Sequence, residues 1–555
     1  MTNKILKPVL CTAALALLAT GCVDEFEPQS STVTINQVSA APGAYDNFVS
    51  AITSTFAGQF VYWPAKQNPY DFGYSAFFLA RDITGQDIAT RGDWFSSWYE
   101  STASLGPTYA ICQFPWTCYY SWIKSCNTVI SVAKADLTED KENGLGQAYA
   151  VRAMLYLDLA QMYCSKTYSL DKDNLTVPIV TDETSTSDLA NNPNATNEEI
   201  YNFIISDLDL AEQYISKDKV DAYTVGINLV YGLKARAYLI MNDWANAEKY
   251  AKLAQNGYSV MSQDEYTDWT TGFNTPNEAW IYALQFKSDD PCILNNDADS
   301  SWGSQMCVEM DPKASQCGYA ANYGQPHLID RHLYETIPST DCRKKCYVDF
   351  SIDDMSDEDQ QVALAAYTNH PTWLQNCAAA TDEGTIGGLE LKFRTAGGET
   401  GRANQMIGFL VSVPVMRVEE MKLIEAEAAA WQDEARGKSL LEAFAKTRDD
   451  NYVYGQHNEA YGNSSTPAII NEIWWQRRVE LWGEGFAMGD IKRLNKGIIR
   501  SYSGTNHRDG YQWNTSGPAD WMNFCIVQTE TNYNPSCVSN PAPIAPEGNS
   551  APYTF

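Results

Sequence analysis

Two runs decide the fold: Ile227 to Met241 (INLVYGLKARAYLIM) and, after Asn242-Asp243, Trp244 to Ala254 (WANAEKYAKLA). Apolar residues return every three or four positions in both runs, so each reads as one amphipathic helix. The Asn-Asp dipeptide between them is turn chemistry. Small residues at Ala235, Ala237, Ala247 and Ala251 let the two helices lie antiparallel and close. Such a pair cannot bury its own apolar face and calls for stacked neighbours.

The hairpin resembles a tetratricopeptide unit, and the rest of the chain supplies partners. Leu145 to Tyr163 (LGQAYAVRAMLYLDLAQMY) carries Ala148, Val151, Leu155, Leu159 and Met162 on one face. Thr196, followed by Glu198 and Glu199, opens a helix over 200–216, with acids where the helix dipole is positive. Helices are expected again at Val415–Trp431, Ser439–Lys446 and Pro467–Glu480. Residues 258–400 are rich in Gly, Asn, Asp, Ser and aromatics and carry few periodic runs, the composition of a functional or decorating region. The tail from Tyr502 reads as loop, with Pro518, Pro535, Pro541, Pro543 and Pro546. The expected fold is mainly α: a tetratricopeptide-like helical hairpin scaffold decorated by a long irregular region with few short strands. Residues 45–555 are expected to form a single domain, because the outer helical segments need one another.

The N-terminus reads as an export signal. Lys4 and Lys7 precede an apolar stretch from Pro8 to Leu18, and Leu18-Ala19-Thr20-Gly21-Cys22 supplies small residues before a cysteine. The apolar stretch falls short of the roughly 20 residues that span a bilayer. Residues 1–21 are therefore expected to be a lipoprotein signal peptide, with Cys22 acylated and residues 22–44 an acidic tether carrying Asp24, Glu25 and Glu27. With 39 Lys+Arg against 69 Asp+Glu, the net charge is −30. That field repels phosphate backbones and anionic headgroups, which argues against nucleic-acid partners. Of 14 cysteines, twelve lie between Cys112 and Cys537, and Cys112/Cys118, Cys342/Cys346 and Cys525/Cys537 are near enough in sequence to be candidate pairs in an exported protein. No CxxC pair occurs, so neither structural zinc nor any other cofactor is expected.

Several blocks, in order, resemble the SusD/RagB family of outer-membrane nutrient-binding lipoproteins. They are Cys22-Val23-Asp24-Glu25-Phe26; Tyr120-Ser121-Trp122-Ile123 with Cys126-Asn127; Arg152-Ala153 with Tyr156 and Leu159; and Val177-Pro178. Further on come Asp341 with Arg343, then Arg417 and Glu420 with Glu425-Ala426-Glu427-Ala428. The longest block is Gln476-Arg477-Arg478-Val479-Glu480-Leu481-Trp482-Gly483-Glu484-Gly485, followed by Asp490-Ile491-Lys492-Arg493. Gln476 and Ala487 depart from the family's usual Glu and Arg. The resemblance implies capture of oligosaccharide or polysaccharide at the cell exterior, from a lipid anchor in the outer membrane. Delivery would be to a SusC-like TonB-dependent transporter. Arg477, Arg478, Glu480, Glu484, Asp490 and Arg493 themselves read as a structural salt-bridge cluster.

Sugars present apolar ring faces and hydroxyl edges, which flat aromatic rings and paired polar groups recognise. The stretch from Asp87 to Tyr99 interleaves Trp94, Trp98 and Tyr99 with Asp87, Arg91 and Asp93. In the irregular region Trp302, Tyr319 and Tyr323 are aromatic candidates, with Asn322 and Gln325 as polar partners. Trp116 and Trp122 are expected in the core. The acidic run Asp353-Asp354 with Asp357-Glu358-Asp359 lacks the spacing of a calcium loop and reads as a solvated face. Peptide capture, a surface glycoside hydrolase and a protein-binding adaptor are the competing functions. The hydrolase would need a carboxylate pair about 5–10 Å apart, and no recognisable hydrolase motif is present.

Overall fold

A computed structural model describes residues 43–58, 70–91, 99, 105–294, 296–313, 317–322, 326–379, 385–540, 542–544 and 546–555. The expected signal, the expected acylation site Cys22 and nearly all of the expected tether lie outside the described residues. The chain divides between Asn47 and Phe48, and the elements below belong to the unit that starts at Phe48.

The fold is mainly helical with a few short strands. Its main helices are α1 (Ala76–Ile83), α2 (Ala110–Ala135), α3 (Glu139–Met162), α4 (Asn197–Tyr214), α5 (Ile227–Ile240) and α6 (Trp244–Ala254). They continue with α7 (Trp302–Met306), α8 (Val418–Gln432), α9 (Glu434–Ala445), α10 (Ala468–Glu480) and α11 (Ala487–Arg493). Local chemistry sets several boundaries. Thr196 caps α4: its Oγ1 accepts the Glu199 N–H, and the Glu199 carboxylate accepts the Thr196 N–H at 2.8 Å. Asn242 takes a left-handed φ of 59° in the α5–α6 turn, and Asp243 then caps α6 through the Asn246 N–H. Asp433 ends α8 and caps α9 in the same residue.

The helices form a continuous row. α3 packs on α2 and α4, α4 on α5, α5 on α6, α6 on α8, and α8 on α9 and α10. The small residues that the hairpin reading relied on, Ala235, Ala237, Ala247 and Ala251, are all fully buried. Between α8 and α9 the approach is closer still: a Cβ on Gly437 would lie 2.4 Å from the Ala430 Cα.

The irregular region leaves this row after α6 and returns at α8. Its neck is a two-stranded antiparallel ladder of β4 (Trp280–Gln285) and β6 (Ser412–Arg417), running from Trp280 opposite Arg417 to Gln285 opposite Ser412. The helix expected from Val415 therefore begins at Val418, because Val413-Pro414-Val415 is extended and wholly buried in the ladder. α3 starts at Glu139, ahead of the expected Leu145, and α9 at Glu434, ahead of Ser439. Both early starts are polar first turns, which apolar periodicity cannot register. A second core sits under the irregular region, with Leu328, Val348, Leu364, Leu374, Leu389 and Leu391 together. Two smaller ladders pair β2 (Leu175–Pro178) with β3 (Asn194–Thr196), and β1 (Ile88–Thr90) with β5 (His327–Ile329).

No helix among the described residues is long and apolar enough to cross a membrane. The candidate cysteine pairs are all free thiols. Cys112 and Cys118 stand six residues apart on one helix, roughly 9 Å of rise, beyond disulfide reach. The acidic run at 353–359 is in large part a capped helix start: Ser356 Oγ accepts the Asp359 N–H in front of the helix Asp357–Leu364.

Candidate functional site

The β1–β5 ladder brings Arg91 and Pro326, the described neighbours of two aromatic-bearing segments, to one end. Ile88 pairs with Ile329 and Thr90 with His327, antiparallel. Arg91 leaves β1 and Pro326 enters β5 at the same end of the ladder, and each adjoins a segment that carries predicted contacts: Trp94 and Trp98 after Arg91, Tyr323 before Pro326. Partly buried, the Arg91 guanidinium donates to Thr385 Oγ1 at 3.0 Å and to the Asn506 carbonyl at 3.5 Å. Asp93, Trp94, Trp98, Tyr323 and Gln325 lie outside the described residues, as does the side chain of Asn322.

Beneath Arg91 lies a buried polar platform. The Asp87 carboxylate takes a bidentate bond from Arg478, with Arg478 Nη2 2.6 Å from Asp87 Oδ1. The Asp87 carbonyl accepts from Trp482 Nε1 (2.8 Å) and the Asp330 N–H (3.0 Å). Burial raises the Asp87 carboxyl, and the Arg478 charge opposes it. Tyr99 is wholly buried; its hydroxyl meets His507 Nδ1 at 2.8 Å, while His507 Nε2 lies 3.0 Å from the Gln86 carbonyl. Burial lowers the His507 pKa against the pull of Asp330, which keeps the imidazole neutral near neutral pH.

Arg500, which the motif reading did not single out, ties this platform to the scaffold. Its buried guanidinium donates to the carbonyls of Ile83 (3.0 Å), Gly85 (2.8 Å) and Tyr99 (2.8 Å). These acceptors include the end of α1, where carbonyls lack helical partners and the dipole favours a cation. No sequence signal marks such a role, since its acceptors are backbone carbonyls that any residue supplies.

The scattered charged motifs converge in a second cluster. Glu480 on α10 receives Arg417 (3.1 Å), Arg448 (2.9 Å) and Arg343 (3.4 Å). Arg448 also reaches Glu419 (3.0 Å), and Glu484 bonds Arg417 (2.8 Å) and Lys392 (2.6 Å). Asp490 holds Arg477 and Arg493, and Arg493 also pairs with Glu427. Burial would raise the Glu480 carboxyl, but Arg448, Arg417 and Arg343 together hold it well below the usual range. These side chains are buried, so the cluster locks elements together.

Three expected contact residues are corrected by their burial. Asp87 is consumed by Arg478, and Tyr99 is enclosed by His507 and Arg500. Trp302, on α7, is 1% exposed, edge-on to Phe393 at 5.1 Å and Phe78 at 6.3 Å. All three are buried. Tyr319 is partly exposed, and Trp116 and Trp122 lie in the core as expected.

The described residues thus form a helical-hairpin row that carries an irregular insertion on a β-ladder neck. Residues 64–239 match the SusD-like_3 family model, "Starch-binding associating with outer membrane". No curated protein matches the sequence. Among solved structures it is similar to a SusD-like carbohydrate-binding protein from Bacteroides vulgatus ATCC 8482, with 21% identity, a TM-score of 0.67, and coverage of 89% of this chain and 97% of that one. A SusD superfamily protein from Bacteroides thetaiotaomicron VPI-5482 matches at 19% identity and a TM-score of 0.65, over 92% and 100% of the two chains. Surface glycan-binding protein A from Bacteroides thetaiotaomicron, solved in complex with laminarihexaose, matches at 18% and 0.61, over 90% and 99%. At these identities the likeness is one of fold.

Proposed function

We propose that this chain is a cell-surface glycan-binding lipoprotein, held at the outer membrane through acylated Cys22. It captures oligosaccharide and hands it to a partner TonB-dependent transporter, by binding alone. The observation that carries this reading is the meeting of β1 and β5 at Arg91, where Arg91 and Pro326, each next to an aromatic-bearing segment, stand at one end of the ladder. In this reading Trp94, Trp98 and Tyr323 stack on sugar ring faces, and Arg91 and Asn322 bond hydroxyl edges. Asp87, Tyr99 and Trp302 hold the platform. The fold it shares with a protein solved with laminarihexaose supports the ligand class.

The test is calorimetry of the chain truncated after Cys22 against a panel of polysaccharides and hexasaccharides, beside a Trp94→Ala/Trp98→Ala variant. Saturable binding to one glycan class, weakened at least tenfold in the variant with helical content unchanged, is expected. Binding of peptides in place of every glycan would overturn the reading.

A further inference from the structure

The loop after α3, the β2–β3 ladder and the C-terminal segment enclose a groove of about 310 Å³, a size at which small-molecule sites begin. None of the residues discussed for the Arg91 site lines it. Its walls are cross-tied by amides. Asn194 accepts the Val538 N–H at 2.6 Å and donates to the Thr176 carbonyl at 2.9 Å. Asn540 accepts the Ile526 N–H at 2.6 Å and donates to the Phe524 carbonyl at 2.5 Å. The Phe524 N–H in turn donates to the Met162 carbonyl at the end of α3. A groove tied in this way needs little ordering when a ligand arrives.

Asn523, in the lining, is different. It is 9% exposed, and its Oδ1 is buried without a hydrogen-bond partner. A stranded buried acceptor is unfavourable, and a hydroxyl donor that met it after a small rotation of the side chain would recover the lost bond. Asp173 is exposed in the same lining, and Asp171 accepts from Lys166 at 3.2 Å. Leu175 and Val538 add apolar surface, 43% and 59% exposed. Dense acceptors and amides beside an apolar strip match the hydroxyl edge and ring face of a sugar. The two carboxylates oppose an anion, and a bare cation would leave the apolar strip unused.

We propose that this groove is a second saccharide subsite, taking one or two units of a neutral glycan. It rests on the glycan-binding reading above and adds an attachment point built from other elements. Hydrogen-exchange mass spectrometry of the chain truncated after Cys22, with laminari-, malto-, cello- and mannohexaose in turn, tests it. The expected result is slowed exchange in 165–176 and 536–540 with one hexasaccharide. Asn523→Ala and the exposed Asp173→Ala should each abolish that slowing, and the thermal midpoint of Asp173→Ala should stay put. Saturable binding with no protection in these segments would overturn the subsite and leave the proposed function standing. Failure of every hexasaccharide to bind would sink both. Protection by calcium alone, without sugar, would make the groove a cation site and overturn the proposal.

Discussion

Arg448 shows how much a single residue holds. It is fully buried and bonds Glu480, Glu419 and the Met261 carbonyl (2.7 Å). Arg448→Met removes a charge and leaves two buried carboxylates short of a partner, a change that costs about 3–5 kcal/mol. Urea unfolding followed by circular dichroism should show the midpoint falling, with the folded spectrum retained in water. The motif residues were legible as charged and paired, but their partners were not. Arg478 and Asp87 are 391 positions apart in the chain, and Arg478 donates to both carboxylate oxygens of Asp87. Nothing local to either one announces the other. The same holds for Trp302: its composition suits stacking, and only the rings of Phe78 and Phe393 make it core.

Among the elements, the helices were the legible part, because a helix satisfies its backbone within itself and writes its buried face at a period of 3.6. The α6 range coincides with the expected Trp244–Ala254, and α5 ends one residue before the expected Met241. The strands were not legible. β4 and β6 are buried on both sides and lack alternation, and their pairing spans the whole irregular region. The α8–α9 hairpin supplies a sharp test of helix contact. A Cβ on Gly437 would meet the Ala430 Cα and N at 2.4 and 2.5 Å, and backbone atoms cannot rotate away. Gly437→Ala gains helix propensity but forces the hairpin apart, so a net loss of about 1–3 kcal/mol is expected. A thermal midpoint at or above that of the parent would contradict this packing.

For the whole molecule, buried titratable groups set the pH range of stability. Burial pushes Glu390 up to about 8 and Asp82 up to about 7. The native state keeps protons there that the unfolded chain releases near 4 to 4.5, so stability declines as pH rises from that range to about 8. His327 and His457 are pushed down to about 4 by burial. The unfolded chain protonates them near 6.5, so stability declines as pH falls from there to about 4. The depressed Glu480, Glu484 and Asp490 add a further loss below about 4.5. Maximum stability is therefore expected at mildly acidic pH. Glu390→Gln should flatten the alkaline decline, read as denaturation midpoints at pH 5, 7 and 9. A decline as steep as the parent's would remove Glu390 as its cause.

The sequence alone determined the helical scaffold, the hairpin at 227–254, the capped start of α4 and the acidic character that repels polyanions. These are consequences of neighbours along the chain or of composition. Tertiary structure alone decided which aromatics are core, which charge meets which, and that the irregular region leaves and returns through one β-ladder. It also decided that Arg91 stands where β1 and β5 meet. Burial and long-range pairing are set by atoms hundreds of residues away, and no local pattern carries that information.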